Sequence, residues 1–133
     1  MGKAELIESI KKVLQKHSEI ELSILYGSVS ENRETFESDL DIAVAGEKPI
    51  SSKLKMQLIE DLALVSNRPV DLVDLQTTHG TLLKQILTEG SLIYKTSNSL
   101  YANIIKRMLF DDADFMPYYY RTLKRKRERW LNE

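Results

Sequence analysis

Two aspartates stand two positions apart in an otherwise apolar stretch of the sequence, Asp39-Leu40-Asp41-Ile42-Ala43-Val44-Ala45. Because successive side chains of a strand point to opposite faces, Asp39 and Asp41 share one face and the alternating apolar residues share the other. Two carboxylates on one face repel each other, which a protein tolerates when a cation lies between them. The chain has no cysteine and only two histidines, so oxygen ligands and a hard cation such as Mg²⁺ are the plausible chemistry. The spacing therefore predicts a magnesium site on this strand.

A third acidic position lies in another strand-like stretch, Val70-Asp71-Leu72-Val73-Asp74. If this strand lies beside the first, Asp71 joins the other two carboxylates. Three converging carboxylates can hold two metal ions, which clamp the attacking and leaving oxygens in a phosphoryl transfer. Asp74 is the alternative third acid, but residues 71 and 74 of a regular strand point to opposite faces. Only one of them can therefore join the site, and the other would cap the segment that follows the strand.

A Gly-Ser pair ends the strand predicted over residues 20–26. Backbone N–H groups at the start of a helix attract phosphate, and a glycine lets the phosphate approach closely. Gly27 and Ser28 are therefore candidate phosphate-binding residues, with the Ser28 hydroxyl as an additional donor. The chain has no Gly-x-x-x-x-Gly-Lys motif, so neutralisation of the phosphates must depend mainly on metal ions.

These residues lie on elements that the hydrophobic pattern predicts in the order helix, strand, strand, helix, strand, helix, strand, helix. The predicted ranges are 3–17, 20–26, 39–45, 51–66, 70–75, 79–89 and 91–95, with a last helix from residue 97. This order favours one α/β (α+β) domain with a small mixed β-sheet flanked by helices. We expect residues 1–95 to form the core of the domain and residues 96–133 a helical C-terminal extension of it.

Composition narrows the class of protein and its surroundings. The chain has 133 residues and a net charge of −1, the profile of a globular domain, and no apolar run approaches the roughly 20 residues that span a membrane. We therefore expect a cytoplasmic protein that does not contact a membrane. The charge is uneven, because residues 121–130 contain six basic residues and one acid, and the rest of the chain has a net charge of −6. Three interpretations of residues 121–130 stay open: a solvated helix face, a docking surface for a protein, and RNA or tRNA binding.

The conjunction of these motifs resembles a known family. The stretch Leu25-Tyr26-Gly27-Ser28, followed by Ser38-Asp39-Leu40-Asp41-Ile42 and by Asp71 in a later strand, is similar to the nucleotidyltransferase superfamily with the DNA polymerase β-like palm. Within it, the small chain resembles the minimal nucleotidyltransferases (MNT), in particular the MntA-type antitoxins encoded beside HEPN-domain toxins. The resemblance covers roughly residues 5–95, which implies that 1–95 is the nucleotidyltransferase domain.

The resemblance implies a function and a role for each motif residue. Asp39 and Asp41 would bind the Mg²⁺ ions that hold ATP, Asp71 would complete the metal site and orient or deprotonate the acceptor hydroxyl, and Gly27 and Ser28 would hold the β- and γ-phosphates. The reaction would be Mg²⁺-dependent transfer of AMP from ATP to a tyrosine of a HEPN ribonuclease toxin, which neutralises the toxin.

The loop after Gly27-Ser28 departs from the family pattern, which has a small residue, arginine and glycine there. This chain has Ser30-Glu31-Asn32-Arg33, and whether Arg33 replaces the family's arginine stays open. Two other functions also stay open: a small-molecule nucleotidyltransferase, and an antitoxin that binds its toxin without catalysis. The short chain disfavours the first, because such enzymes usually add a domain to hold the acceptor, and the intact acids disfavour the second.

Overall fold

The computed structural model describes residues 2–27 and 38–111, together with five residues of the C-terminal segment, Arg121, Lys124, Arg125, Arg127 and Glu128. The helices and strands whose bounds lie within these residues follow the predicted order. They are α1 (Lys3–Gln15), β1 (Leu22–Tyr26), β2 (Leu40–Ala45), α2 (Ser52–Ser66), β3 (Val70–Asp74), α3 (Gly80–Glu89), β4 (Ser91–Lys95) and α4 (Asn98–Asp111). None of the helices in the described ranges is long and apolar enough to cross a bilayer.

The four strands form one mixed sheet in the order β3-β2-β1-β4. β1 pairs antiparallel with both β2 and β4, whereas β2 and β3 are parallel. Parallel neighbours cannot be joined by a tight turn and need a crossover, which α2 supplies between β2 and β3. The prediction of a small mixed sheet flanked by helices is therefore confirmed, and β2 lies between the strands that carry Tyr26 and Asp71.

The hydrophobic core has two parts, one on each face of the sheet. On one face, α1 and α2 pack against the apolar side of β2, which presents Leu40, Ile42 and Val44 as predicted. On the other face, α3 and α4 pack against Ala43 and Ala45 of β2 and against neighbouring residues of β1. The alternation along β2 places Asp41 on this second face, because Asp41 shares the orientation of Ala43 and Ala45.

The end of α1 differs from the predicted range. The helix ends at Gln15, two residues before the apolar pattern suggested. The Lys16 N–H donates to the Val13 carbonyl at 3.1 Å and the His17 N–H to the Leu14 carbonyl at 3.0 Å, so the last turn tightens and the helix cannot continue. The chain then reaches β1 at Leu22 rather than at residue 20.

Ser28 and Arg33 lie outside the described residues, so the phosphate-binding prediction can be followed only at Gly27. Of the basic stretch 121–130, the five described residues are all exposed.

Candidate active site

The register of the sheet brings two of the predicted acids side by side. Asp41 of β2 is the direct partner of Asp71 in the parallel β3 and of Tyr26 in the antiparallel β1. Neighbouring strands are about 4.8 Å apart, and paired residues present their side chains on the same face. Asp41 is half-buried, and Asp71 is exposed. The two carboxylates therefore lie next to each other at one end of the sheet.

Asp39 approaches this pair from the segment just before β2. It is exposed and lies two positions before Asp41. Burial raises the pKa of the Asp41 carboxyl above its usual range, and the nearby negative charges of Asp71 and Asp39 raise that pKa further. Both acids thus act electrostatically on Asp41, as expected for three carboxylates at one end of a sheet.

The three side chains are near each other without forming a compact set. Among the residues that the structure describes, no group of three or more acidic or histidine side chains is arranged closely enough to hold a metal ion as it stands.

Tyr26 closes the other side of Asp41. Its ring packs partly against the core formed with α3 and α4. Burial raises the pKa of the Tyr26 hydroxyl to about 12, and repulsion from Asp71 and Asp41 contributes to the rise. The hydroxyl is therefore neutral at physiological pH and can act as a hydrogen-bond donor beside the two carboxylates.

Gly27 contacts Asp41 in a way that only glycine allows. Its φ is +74°, in the left-handed region that side chains disfavour. A Cβ at this position would overlap a carboxyl oxygen of Asp41 and would lie only 3.0 Å from its Cγ. The glycine of the predicted Gly-Ser pair thus leaves room for the Asp41 carboxylate, a role that the sequence pattern did not suggest.

Asp74, the alternative third acid, has a different environment. It is only 9% exposed, and its carboxylate oxygens accept hydrogen bonds from the Ile50 and Gln76 N–H groups, each at 2.9 Å. Because each oxygen already has a backbone donor, Asp74 stabilises the segments after β2 and β3 rather than facing the other acids. This agrees with the expectation that one of the two acids would cap the segment after the strand.

Sequence reasoning missed Arg68, which lies between α2 and β3. Its Nη1 donates to the Ser38 carbonyl at 3.0 Å, and Ser38 directly precedes Asp39. The nearest signal in the sequence was the position of Arg68 just before Pro69, but nothing in the pattern indicated a contact 30 residues away.

Two cavities lie at the opposite end of the sheet from the acids. One has a volume of about 360 Å³ and the other about 380 Å³, and Glu21 and Glu47 line both. Neither of these two cavities is lined by Asp39, Asp41 or Asp71.

Several known proteins are similar to this chain in sequence. Residues 8–99 match the model of the family described as polymerase beta, nucleotidyltransferase, a range that includes Gly27, Asp39, Asp41 and Asp71. The chain is 31% identical over 87 residues to the protein adenylyltransferase MntA of Shewanella oneidensis, covering 65% of this chain and 63% of that protein. This chain therefore spans less than two thirds of the length of that relative. It is also 31% identical over 93 residues to a putative protein adenylyltransferase of Methanocaldococcus jannaschii, covering 68% of this chain and 91% of that protein.

Solved structures share the fold along nearly the whole chain. One match is a chain in a crystal structure of a toxin–antitoxin with AMP-PNP, with a TM-score of 0.68, 25% identity and 95% of both chains covered. Another is a chain from a structure of a tri-AMPylated Shewanella oneidensis HEPN toxin in complex with an MNT antitoxin. It has a TM-score of 0.65 and 23% identity, and covers 98% of this chain and 97% of that one. At 23% identity, the similarity to this second structure concerns the fold alone.

Proposed function

This chain belongs to the polymerase β nucleotidyltransferase family, and on that premise we propose that it is a protein adenylyltransferase. It transfers AMP from ATP to a tyrosine of a HEPN-domain ribonuclease toxin encoded beside it and so neutralises that toxin. The names of the two similar proteins, both adenylyltransferases, and the toxin–antitoxin structure with AMP-PNP support this choice of reaction, substrate and partner.

The observation that carries the proposal is the register of β2 and β3. It pairs Asp41 with Asp71 directly, while Gly27 lies against the Asp41 carboxylate with no side chain of its own. Two adjacent acids beside a glycine at the end of a strand concentrate negative charge that suits a divalent cation and, through the cation, the phosphates of a nucleotide.

Magnesium fits the donor set. The three acids offer only hard oxygen ligands. Burial, together with repulsion from Asp71 and Asp39, raises the pKa of Asp41, and a bound cation would lower that pKa again. Mg²⁺ typically takes one or two carboxylates and completes its shell with waters and substrate phosphates. We propose that Asp39, Asp41 and Asp71 hold two Mg²⁺ ions together with ATP. When bound, the ions neutralise charge on the phosphates and on the leaving group.

The residues of the chain then have separate tasks. Asp39 and Asp41 orient the triphosphate, and Gly27 and Ser28 bind its β- and γ-phosphates through backbone N–H groups and the Ser28 hydroxyl. Asp71 accepts the proton of the acceptor tyrosine as the tyrosine oxygen forms its bond to the α-phosphorus. The bond from that phosphorus to the bridging oxygen breaks, and diphosphate leaves.

The C-terminal part completes the same domain in this proposal. Residues 1–95 form the nucleotidyltransferase unit, and residues 96–133 form a helical extension of it. The buried Leu100 and Ile104 of α4, which pack in the core with α3, support the extension as part of one domain. A reaction that consumes ATP and acts on a ribonuclease made beside the enzyme takes place in the cytoplasm, which is the location we propose.

The direct test of the function is label transfer to the protein encoded by the neighbouring gene. With Mg²⁺, ATP labelled at the α-phosphate should label that protein, whereas ATP labelled at the γ-phosphate should not. Asp39→Ala/Asp41→Ala should abolish the transfer. Glu5→Ala/Glu8→Ala removes the same charge from exposed positions of α1 and should retain it. Label on a small molecule such as an aminoglycoside, with none on the protein, would contradict the proposal and favour a small-molecule enzyme.

A further inference from the structure

Two hydrogen bonds hold the short segment that carries Asp39. The Ser38 carbonyl, just before Asp39, accepts from Arg68 Nη1 at 3.0 Å. The Leu40 N–H, just after Asp39, donates to the Pro69 carbonyl at 2.8 Å. Both partners belong to the turn that leads into β3, so this turn holds the Asp39 segment from both sides.

Arg68 is itself held by the backbone around it. Helix α2 ends at Ser66, and its C-cap residue Asn67 adopts the left-handed conformation with φ of 56° and donates its N–H to the Ala63 carbonyl. A residue before proline is restricted to extended conformations, so Pro69 narrows the directions that the Arg68 side chain can take. Arg68 is also half-buried. Its guanidinium is therefore presented to Ser38 with little freedom to lose when the hydrogen bond forms.

Asp39 depends on such support because it lies outside the sheet. β2 begins at Leu40, so the regular pairing that positions Asp41 against Asp71 does not include Asp39. Its side chain is exposed and has no surrounding core to fix it. Among the described residues, the backbone contacts on either side of Asp39 therefore fix the position of its Cα, from which the carboxylate extends.

We propose that Arg68 is a positioning residue for nucleotide and metal binding: by holding the Ser38 carbonyl, it keeps Asp39 beside Asp41 and Asp71. The role rests on the proposed function, because it concerns the same three acids. Arg68 acts through the backbone and does not itself contact the substrate. Its loss weakens metal-dependent nucleotide binding more than it slows the chemical step, since the carboxylate must be ordered each time the metal–nucleotide complex binds.

The test compares Arg68→Gln with Arg107→Gln. Arg107 of α4 makes bonds of the same kind at the opposite end of β3, donating to the carbonyls of Gln76 at 3.1 Å and Thr78 at 3.2 Å. Both variants thus remove a half-buried guanidinium from backbone carbonyls, but only one lies beside the acids. Arg68→Lys keeps the positive charge and N–H donors but loses the planar guanidinium, and should recover part of the effect.

Two measurements separate positioning from general destabilisation. Calorimetric titration with AMP-PNP at varied Mg²⁺ should show about tenfold weaker binding for Arg68→Gln, an intermediate value for Arg68→Lys and no change for Arg107→Gln. Hydrogen exchange should show faster exchange of the Leu40 amide in Arg68→Gln and no acceleration there in Arg107→Gln. In steady-state kinetics, KM for ATP should rise more than kcat falls.

Three results would overturn the inference. Unchanged titration of Arg68→Gln, with normal binding by the unmodified protein, would refute the role of Arg68 and leave the proposed function intact. Equal weakening by Arg107→Gln would show that the effect is general destabilisation. Failure of the unmodified protein to bind AMP-PNP in the presence of Mg²⁺ would refute the proposed function, and the inference with it.

Discussion

Replacing Gly27 with alanine should disable the site through a single added methyl group. The new Cβ would overlap a carboxyl oxygen of Asp41 and would lie 3.0 Å from its Cγ and 3.2 Å from its Cβ. Ordinary van der Waals contact begins near 3.4 Å, so Cγ must move by about 0.4 Å and the oxygen by more. Since Asp41 is held in the sheet by its pairing with Asp71 and Tyr26, its side chain must rotate away from the position that it now occupies.

The magnitude has a backbone part and a carboxylate part. The φ of +74° costs a residue with a Cβ about 1–2 kcal/mol of folding free energy. For a domain of this size that lowers Tm by roughly 4 °C per kcal/mol. Displacing a metal-binding carboxylate by about 1 Å costs on the order of 100-fold in rate. We therefore expect a modest loss of stability together with a loss of AMP transfer of about two orders of magnitude.

Gly80 provides a matched control for the backbone part. Its φ is +64°, but a Cβ there would meet nothing within 4 Å. Gly80→Ala should thus lower Tm to a similar extent and keep its transfer rate, and the effect of the methyl group on the unfolded chain is the same in both variants. The assay is label transfer from α-labelled ATP to the partner protein, well below both Tm values. Full activity in Gly27→Ala, or an equal loss in Gly80→Ala, would refute the reasoning.

Three further predictions concern the acids and the tyrosine. Asp74→Ala leaves the Ile50 and Gln76 N–H groups without their acceptor, so the free energy of unfolding measured with denaturant should fall by about 2–4 kcal/mol. The folded variant should still transfer AMP normally. Loss of transfer with unchanged stability would contradict the structural role of Asp74. Because the pKa of Asp41 is raised, its ionised form lowers the stability of the folded protein at pH values above that pKa. Without divalent cations, Asp41→Asn should therefore raise the unfolding free energy at neutral pH by less than about 1 kcal/mol, and it should abolish transfer. The gain in unfolding free energy should vanish as the pH falls through that pKa. The Tyr26 hydroxyl, with a pKa of about 12, stays protonated over the pH range of the assay, so Tyr26→Phe should leave the shape of the pH–rate profile unchanged. A shifted limb of the profile would show that the hydroxyl titrates during the reaction.

The local pattern of the sequence was enough to predict the order of elements and the faces of β2. A period of two placed Asp41 opposite Leu40 and Ile42, and the structure has it so because strand geometry depends only on neighbouring residues. Asp39 lies one position before the strand begins. The pairing of Asp41 with Asp71 depends instead on the order of the strands in the sheet, and the sequence pattern did not predict that order. A parallel pair joined by a crossover helix is favoured by topology, but the register between the two strands follows from packing of the whole domain.

Contacts between distant parts of the chain were beyond prediction. Asp74 contacts the Ile50 N–H and Arg68 contacts the Ser38 carbonyl, pairs separated by 24 and 30 residues. No local propensity encodes such contacts, because they exist only after the sheet has formed. The close approach of Gly27 to Asp41 was missed for the same reason. A glycine before a serine indicates a turn, but the steric requirement for a residue without a Cβ arises only when β1 and β2 pair.

We propose that this chain neutralises its partner by attaching AMP through Asp39, Asp41 and Asp71. The most direct measurement is the mass of the partner protein, and of its tyrosine-containing peptides, after expression in cells with either form of this chain. With the unmodified chain, the partner should carry one or more AMP groups on tyrosine, and the cells should grow. With Asp39→Ala/Asp41→Ala the partner should keep its unmodified mass and stay toxic. Growth with an unmodified partner would contradict the account and identify a protein that neutralises by binding alone.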